Sequence, residues 1–178
     1  MRSYPIETEV PLNSRIVKRM AGAHFCDSWA ITSKDVGRSA LEHFLTAIRQ
    51  TPRWVEACMM TRNRTVQLFG LKDLGRFSDV TLDKSASDYA PGDRLGVFTV
   101  LESTFDEALF GDSDNHLDST ISIHRGESPD QRYVIVTLTT VVHIKNPLGR
   151  LYMLPVRPMH RLIVPAVLAV IGNAADTA

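Results

Sequence analysis

Three arginines near the C-terminus, Arg150, Arg157 and Arg161, are spaced seven and four residues apart. On an ideal helix they fall within about 40° of one another. They form either a solvated basic face or an anion-binding edge at the mouth of a pocket. His160 adjoins Arg161, Tyr152 precedes it by eight residues, and His143 closes a run of β-branched residues. Such groups can ring an otherwise apolar cavity with hydrogen-bonding atoms, or each can be a satisfied structural side chain. His143 and His160 are the candidate acid–base residues. An arginine beside His160 would orient a carboxylate or phosphate through a charge-assisted pair.

The stretch "GDSDNHLDST" collects Asp112, Asp114, His116 and Asp118. Carboxylates with an imidazole can hold a metal, but the spacing lacks the glycine and distal glutamate of a calcium loop. A tight turn whose Asp and Asn side chains bond their own backbone fits better, so no metal is expected. In "LDSTISIHR", Asp118, Thr120, Ser122 and His124 share one side and Ser119, Ile121 and Ile123 the other. That pattern reads as a solvent face opposite a core face; a polar cavity wall is the alternative. There is no G-x-S-x-G elbow, Walker loop or H-E-x-x-H. Nothing in these motifs compels a catalytic reading.

The elements that must position these groups are legible from period and punctuation. "AHFCDSWAIT" (23–32) alternates imperfectly and reads as a short first strand. From Ser39, Leu41, Phe44, Leu45 and Ile48 recur at helical spacing, and that helix should end near Gln50, before Pro52. Pro52 opens a second helix carrying Trp54, Val55, Cys58 and Met59 on its apolar side, capped near Gly70. Residues 72–93 read as a long polar loop, and the first twenty as a peripheral segment or an added edge strand.

The period then changes to two. "GVFTVLES", "EALFGD", "LDSTISIHRG" and "RYVIVTLTTVVHI" are β-rich and joined by short turns, which makes an antiparallel meander. In the last run Val134, Val136, Leu138, Thr140 and Val142 face one way and Tyr133, Ile135, Thr137, Thr139, Val141 and His143 the other. Both sides are apolar, so this strand is covered twice or lines an internal space. Asn146 and Pro147 then start a long terminal helix. Pro155, Pro158 and Pro165 interrupt it, and the reading is a break or kink between Leu154 and Pro158, with a restart at Pro158.

The chain has 178 residues, 20 acidic and 20 basic side chains and 44% apolar residues. A single domain with one core is expected. No global field recruits nucleic acid or an anionic membrane. Cys26 and Cys58, far apart and outside any C-x-x-C, read as reduced and mostly buried thiols. "MRSYPIETEVPLNSRIVKRM" lacks the apolar core of a signal peptide. The longest apolar run, Leu162 to Gly172, contains Pro165 and is shorter than the roughly 20 residues a span requires. A cytoplasmic protein without a membrane span is expected.

This order of elements is an α+β, helix-grip arrangement: a curved antiparallel sheet around a long proline-kinked C-terminal helix, with two helices between the first strand and the meander. It resembles the START and Bet v 1-like superfamily. The sequence also resembles a bacterial family, domain of unknown function 2867, through "TPRWVEACMMTRNRTVQLFGLKDLG", "PGDRLGVFTVLE", "DNHLDSTISIHR", "TTVVHIKNPLGRLYM" and "VRPMHRLIVPAVL". The helix-grip resemblance implies an internal pocket for an apolar small molecule. Some relatives carry this domain behind a dinucleotide-binding reductase domain. Without a G-x-G-x-x-G here, no nicotinamide site or other cofactor is carried over.

The first functional expectation is a pocket for a small lipophilic or amphipathic molecule. Trp54, Met59, Phe98, Tyr152, Met153 and Met159 would line it, and Arg157, His160 and Arg161 would mark one end. The second is an enzyme using the same cavity, with His143 or His160 as acid or base. The third is a pocket-free interaction module that pairs with a reductase. A homodimer is left open.

Overall fold

The computed structural model describes residues 4–68, 84–128 and 131–174. Seven strands form one antiparallel sheet: β1 (Ile6–Glu7), β2 (Phe25–Ser33), β3 (Arg94–Leu95), β4 (Phe98–Ser103), β5 (Glu107–Ser113), β6 (Leu117–Glu127) and β7 (Val134–Ile144). Their order across the sheet is β1-β2-β7-β6-β5-β4-β3. From β3 to β7 each strand pairs with its chain neighbour, as short turns between period-two runs dictate. Strand β2 closes against β7, with Asp27 opposite Thr140 and Phe25 opposite Val142. That pairing is the long-range step that local sequence does not specify.

Three α-helices lie among the described residues: α1 (Ala40–Arg49), α2 (Arg53–Leu68) and α3 (Pro147–Ala174). Ser39 and Glu42 form a reciprocal capping box at the start of α1, which satisfies two otherwise orphaned amides. Helix α1 ends at Arg49, as the following Pro52 requires. The carbonyl of Pro52 accepts from Val55 and Glu56 and opens α2. The expected cap at Gly70 and most of the expected 72–93 loop lie outside the described residues. The described end of that stretch holds a short 3₁₀ turn, Ala86–Asp88.

Helix α3 begins as expected. Asn146 Oδ1 accepts from the Gly149 amide at 3.0 Å, a normal N-cap bond. The expected break does not occur, because α-helix runs through Pro155, Pro158 and Pro165 without interruption. Each proline deprives the carbonyl four residues earlier of a donor. Those carbonyls belong to Leu151, Leu154 and Arg161, all residues at exposed positions, where water is at hand to replace the lost bond. The helix is therefore also long and apolar enough to cross a membrane, by length and composition alone. The shorter run expected from the prolines is not what forms.

One face of the sheet carries α1 and α3. Phe44 of α1 stacks on Phe110 of β5 with ring centroids 4.1 Å apart. Each such buried aromatic stabilises by roughly 1.5–3 kcal/mol through area burial. The C-terminal half of α3 joins this core through Val164, Val167, Leu168 and Ile171. Its first turns pack through Met153 in a second cluster with Leu117 and Val142. The architecture is the expected helix-grip.

The opposite face is also covered. Residues near Ile16 pack on Leu109 and Val141. The polar side of β6, read as a solvent face, is buried beneath this N-terminal cover: Ser122 is 0% and His124 6% exposed. Buried Glu107 accounts for the reversal, since its carboxylate accepts from Ser14 Oγ, the Arg15 amide and Ser122 Oγ. Both cysteines are free, but Cys26 is exposed and Cys58 only half-buried, because Cys26 sits on this outer side of β2.

Candidate functional site

Helix α3 is tied down at both ends, and beneath its middle lies a cavity of about 630 Å³. The lining positions on α3 run Tyr152, Met153, Val156, Met159, His160, Ile163, Val164 and Val167. They share one side at helical spacing from 152 to 167, so the cavity extends along the helix for about 22 Å at 1.5 Å per residue. Strands β6 and β7 supply the floor through Ile121, Leu138 and Thr140, and α1 supplies Phe44 and Ile48. Ala57 and Thr61 of α2 and Pro155 of α3 line it and are exposed, which places the rim between these two helices.

The walls are mostly apolar, and the polar groups fall at two stations. At the first, His160 Nδ1 lies 2.9 Å from Asp27 Oδ2, and its Nε2 lies 3.3 Å from Thr140 Oγ1. The carboxylate beside Nδ1 assigns the ring proton there, so Nε2 is the acceptor and the Thr140 hydroxyl donates to it. Phe25 meets the imidazole edge-on at 5.5 Å and helps fix the ring. Asp27 also accepts from Trp29 Nε1 at 3.3 Å. Its other oxygen is buried without a partner among the described residues.

The second station lies at the N-terminal end of α3, where the β5–β6 turn brings Asp112, Asp114 and His116 to the cavity beside Tyr152. The turn is anchored on the helix start. The Lys145 amide donates to the His116 carbonyl at 2.9 Å, and Asn146 Nδ2 donates to the Asn115 carbonyl at 3.0 Å. The His116 ring meets Tyr152 edge-on at 5.3 Å. Its Nδ1 is 3.4 Å from Asp114 Oδ2, but both ring nitrogens lack hydrogen-bond geometry to any described residue. A contact at that distance without alignment is weak, so the imidazole is effectively unsatisfied. Asp118 points away from the cavity into a surface pair with Lys145. No three potential metal-ligating side chains converge among the described residues.

Of the residues singled out from sequence, Met59, Phe98, Tyr152, Met153, Met159 and His160 line the cavity. Trp54, Arg157 and Arg161 do not. Trp54 is 44% exposed, on the outer side of α2. Arg157 donates to the His24 carbonyl at 3.0 Å and spans the Phe25 ring, while Arg161 is exposed. Their shared side of α3 is turned away from the lining side, so they do not mark a pocket end. His143 lies on the opposite face of the sheet, where its Nε2 donates to the Arg19 carbonyl at 2.8 Å. Strand parity already placed it opposite Thr140. Sequence reasoning passed over Asp27, Thr140 and Phe25, and read His116 as part of a turn. The imperfect alternation of β2 held the one available signal, a charged residue at Asp27 on the inward side.

A family model described as protein of unknown function (DUF2867) matches residues 19–167. The chain belongs to this family. The DUF2867 match spans β2 through most of α3 and so contains both polar stations and the cavity between them. No curated protein matches the chain.

Proposed function

We propose that this DUF2867 protein binds one lipophilic or amphipathic molecule in the cavity beneath α3. The supporting observation is a cavity of about 630 Å³ with largely apolar walls and an aspartate-oriented imidazole set into one side. That volume falls in the range that encloses a drug-sized ligand. No lysine or arginine is among the described lining residues, so the reading differs from one built on Arg157 and Arg161. The ligand's polar group is a hydrogen-bond donor, such as a hydroxyl, that approaches His160 Nε2 in place of or beside Thr140. Medium-chain alcohols are therefore the first probes, with the matching carboxylates as comparison.

Thermal-shift titration against the native protein and a Met159→Trp variant tests the reading. The indole fills space that Met159 borders, so stabilisation by the alcohol should vanish in the variant while its fold persists. Absence of any stabilising alcohol or acid, together with no small molecule released on denaturing the purified protein for mass spectrometry, would refute it.

A second reading, acid–base catalysis in the same cavity, is favoured by the Asp27–His160–Thr140 alignment. The Asp27 carboxylate fixes the tautomer that leaves Nε2 free to take a proton. Thr140 sits mid-strand between two hydrogen-bonded neighbours, so its amide is committed to the sheet and offers no oxyanion donor. Proton abstraction fits this site better than acyl transfer. A bound carbonyl compound should exchange its α-proton with deuterated water in the native protein and not in His160→Gln. Equal exchange in both would eliminate this reading.

A further inference from the structure

The outward side of α3 is apolar where a solvated helix face would be polar. Leu151, Leu154 and Leu162 are 60%, 68% and 61% exposed, and Pro155 and Pro158 are exposed between them. At 100° per residue these five fall within about 100° of one another and form one stripe. Arg150, Arg157 and Arg161 form a second stripe along one flank, and all three are exposed. Helix α3 contains no aspartate or glutamate anywhere in its 28 residues. None of the three arginines has a carboxylate partner among the described residues.

We propose that this face docks on the surface of a lipid bilayer containing anionic headgroups. The leucines and prolines would enter the headgroup–acyl boundary and the arginines would meet lipid phosphates. The charge pattern selects this occupant. A second copy seated on the same stripe would bring arginine flanks together with no acidic residue on either helix to offset them. The prolines favour an interfacial position over a spanning one, because the carbonyls they free remain hydrated at the headgroup level and would be orphaned in hydrocarbon. The stripe is continuous with the cavity rim through Pro155, so a docked bilayer would lie against the mouth. The docking itself stands whether or not the cavity takes a ligand.

Vesicle flotation tests the proposal on the full chain, with phosphatidylcholine vesicles and with vesicles carrying about a third phosphatidylglycerol. The native protein should bind the anionic vesicles at least tenfold more tightly, and 0.5 M salt should erase most of that preference. Leu151→Ser with Leu154→Ser should weaken binding to anionic vesicles more than tenfold. Arg150→Gln with Arg161→Gln should remove about fivefold per arginine from binding to anionic vesicles only. All four side chains are exposed, and circular dichroism with light scattering confirms that each variant keeps its fold. No binding to anionic vesicles overturns the proposal. So does binding that ignores the leucine substitutions, or a native dimer that those substitutions convert to monomer, which would assign the stripe to a second copy.

Discussion

Replacing Gly149 with alanine sets two physical rules against each other. Gly149 is the third residue of α3, and helix propensity alone predicts a gain of up to about 1 kcal/mol for alanine over glycine. An added Cβ, however, would lie within van der Waals overlap of the His116 carbonyl oxygen and 3.0 Å from a methyl of Ile144. The obstacle is backbone, and it cannot rotate aside. Either the β5–β6 turn or the first turn of α3 must move by most of an ångström. That displacement strains the Lys145–His116 and Asn146–Asn115 bonds that anchor the turn. Overpacking of this kind costs about 1–3 kcal/mol, and weakening the two hydrogen bonds adds about 0.5–1.5 kcal/mol each. After the propensity gain is subtracted, the net expectation is destabilisation by about 1–5 kcal/mol. For a chain of this size that lowers Tm by roughly 2–20 °C. Urea unfolding followed by circular dichroism gives the number directly. The variant should also move His116 and Tyr152, so alcohol binding should weaken more than in a variant of equal instability elsewhere. A Gly149→Ala protein as stable as the native one, or more stable, would show that propensity wins and that the turn is not seated on the helix as described.

Removing the buried carboxylate with Glu107→Ala should cost about 2–4 kcal/mol: three hydrogen bonds to a charged group are lost, worth about 1.5–3 kcal/mol each, but relief of the carboxylate's desolvation penalty of several kcal/mol offsets about half of that. Amide exchange at Arg15 and Ile16 should accelerate more than at β6; unchanged exchange there would refute the role of Glu107 in holding the N-terminal segment. His43 is 1% exposed, and its burial, reinforced by Arg38, lowers its pKa from 6.5 to about 4. The unfolded chain takes up a proton there before the folded one does. Its contribution to stability is therefore complete above about pH 6.5 and is lost as pH falls toward 4. His43→Leu should flatten that part of the stability–pH curve, and an unchanged slope in urea midpoints at pH 7, 5.5 and 4.5 would assign the dependence elsewhere. Pro158→Ala should raise stability by about 1–3 kcal/mol, because alanine restores a helix donor at a site that is already helical. A neutral or negative effect on the urea midpoint would mean that the freed carbonyl of Leu154 is better satisfied by water than by the helix.

The local grammar of this chain was set by residue types acting over a few positions. Period-two runs of β-branched residues made β4 to β7, and the capping signals at Ser39 and Asn146 began α1 and α3. Short turns forced antiparallel neighbours, and the side-chain parity of β7 placed Thr140 and His143 on opposite faces. These are consequences of short-range sterics and hydrogen bonding, so they survive without knowledge of the whole. The site is different. Asp27 and His160 are 133 residues apart and meet only because β2 closes on β7 while α3 crosses them from the far end of the chain. The same crossing decided which side of α3 faced inward: it turned Met153, Met159 and His160 toward the cavity and Arg157 and Arg161 outward, a choice that spacing along the helix leaves open. It also explains the prolines. A proline's cost depends on whether the carbonyl it frees meets water or protein, and here Leu151, Leu154 and Arg161 are all exposed residues. Glu107 became a buried acceptor only when the N-terminal segment folded over β6 and delivered Ser14 and Arg15. Each of these outcomes is a matter of which surface covers which, and burial is a property of the assembled structure that no window of sequence contains.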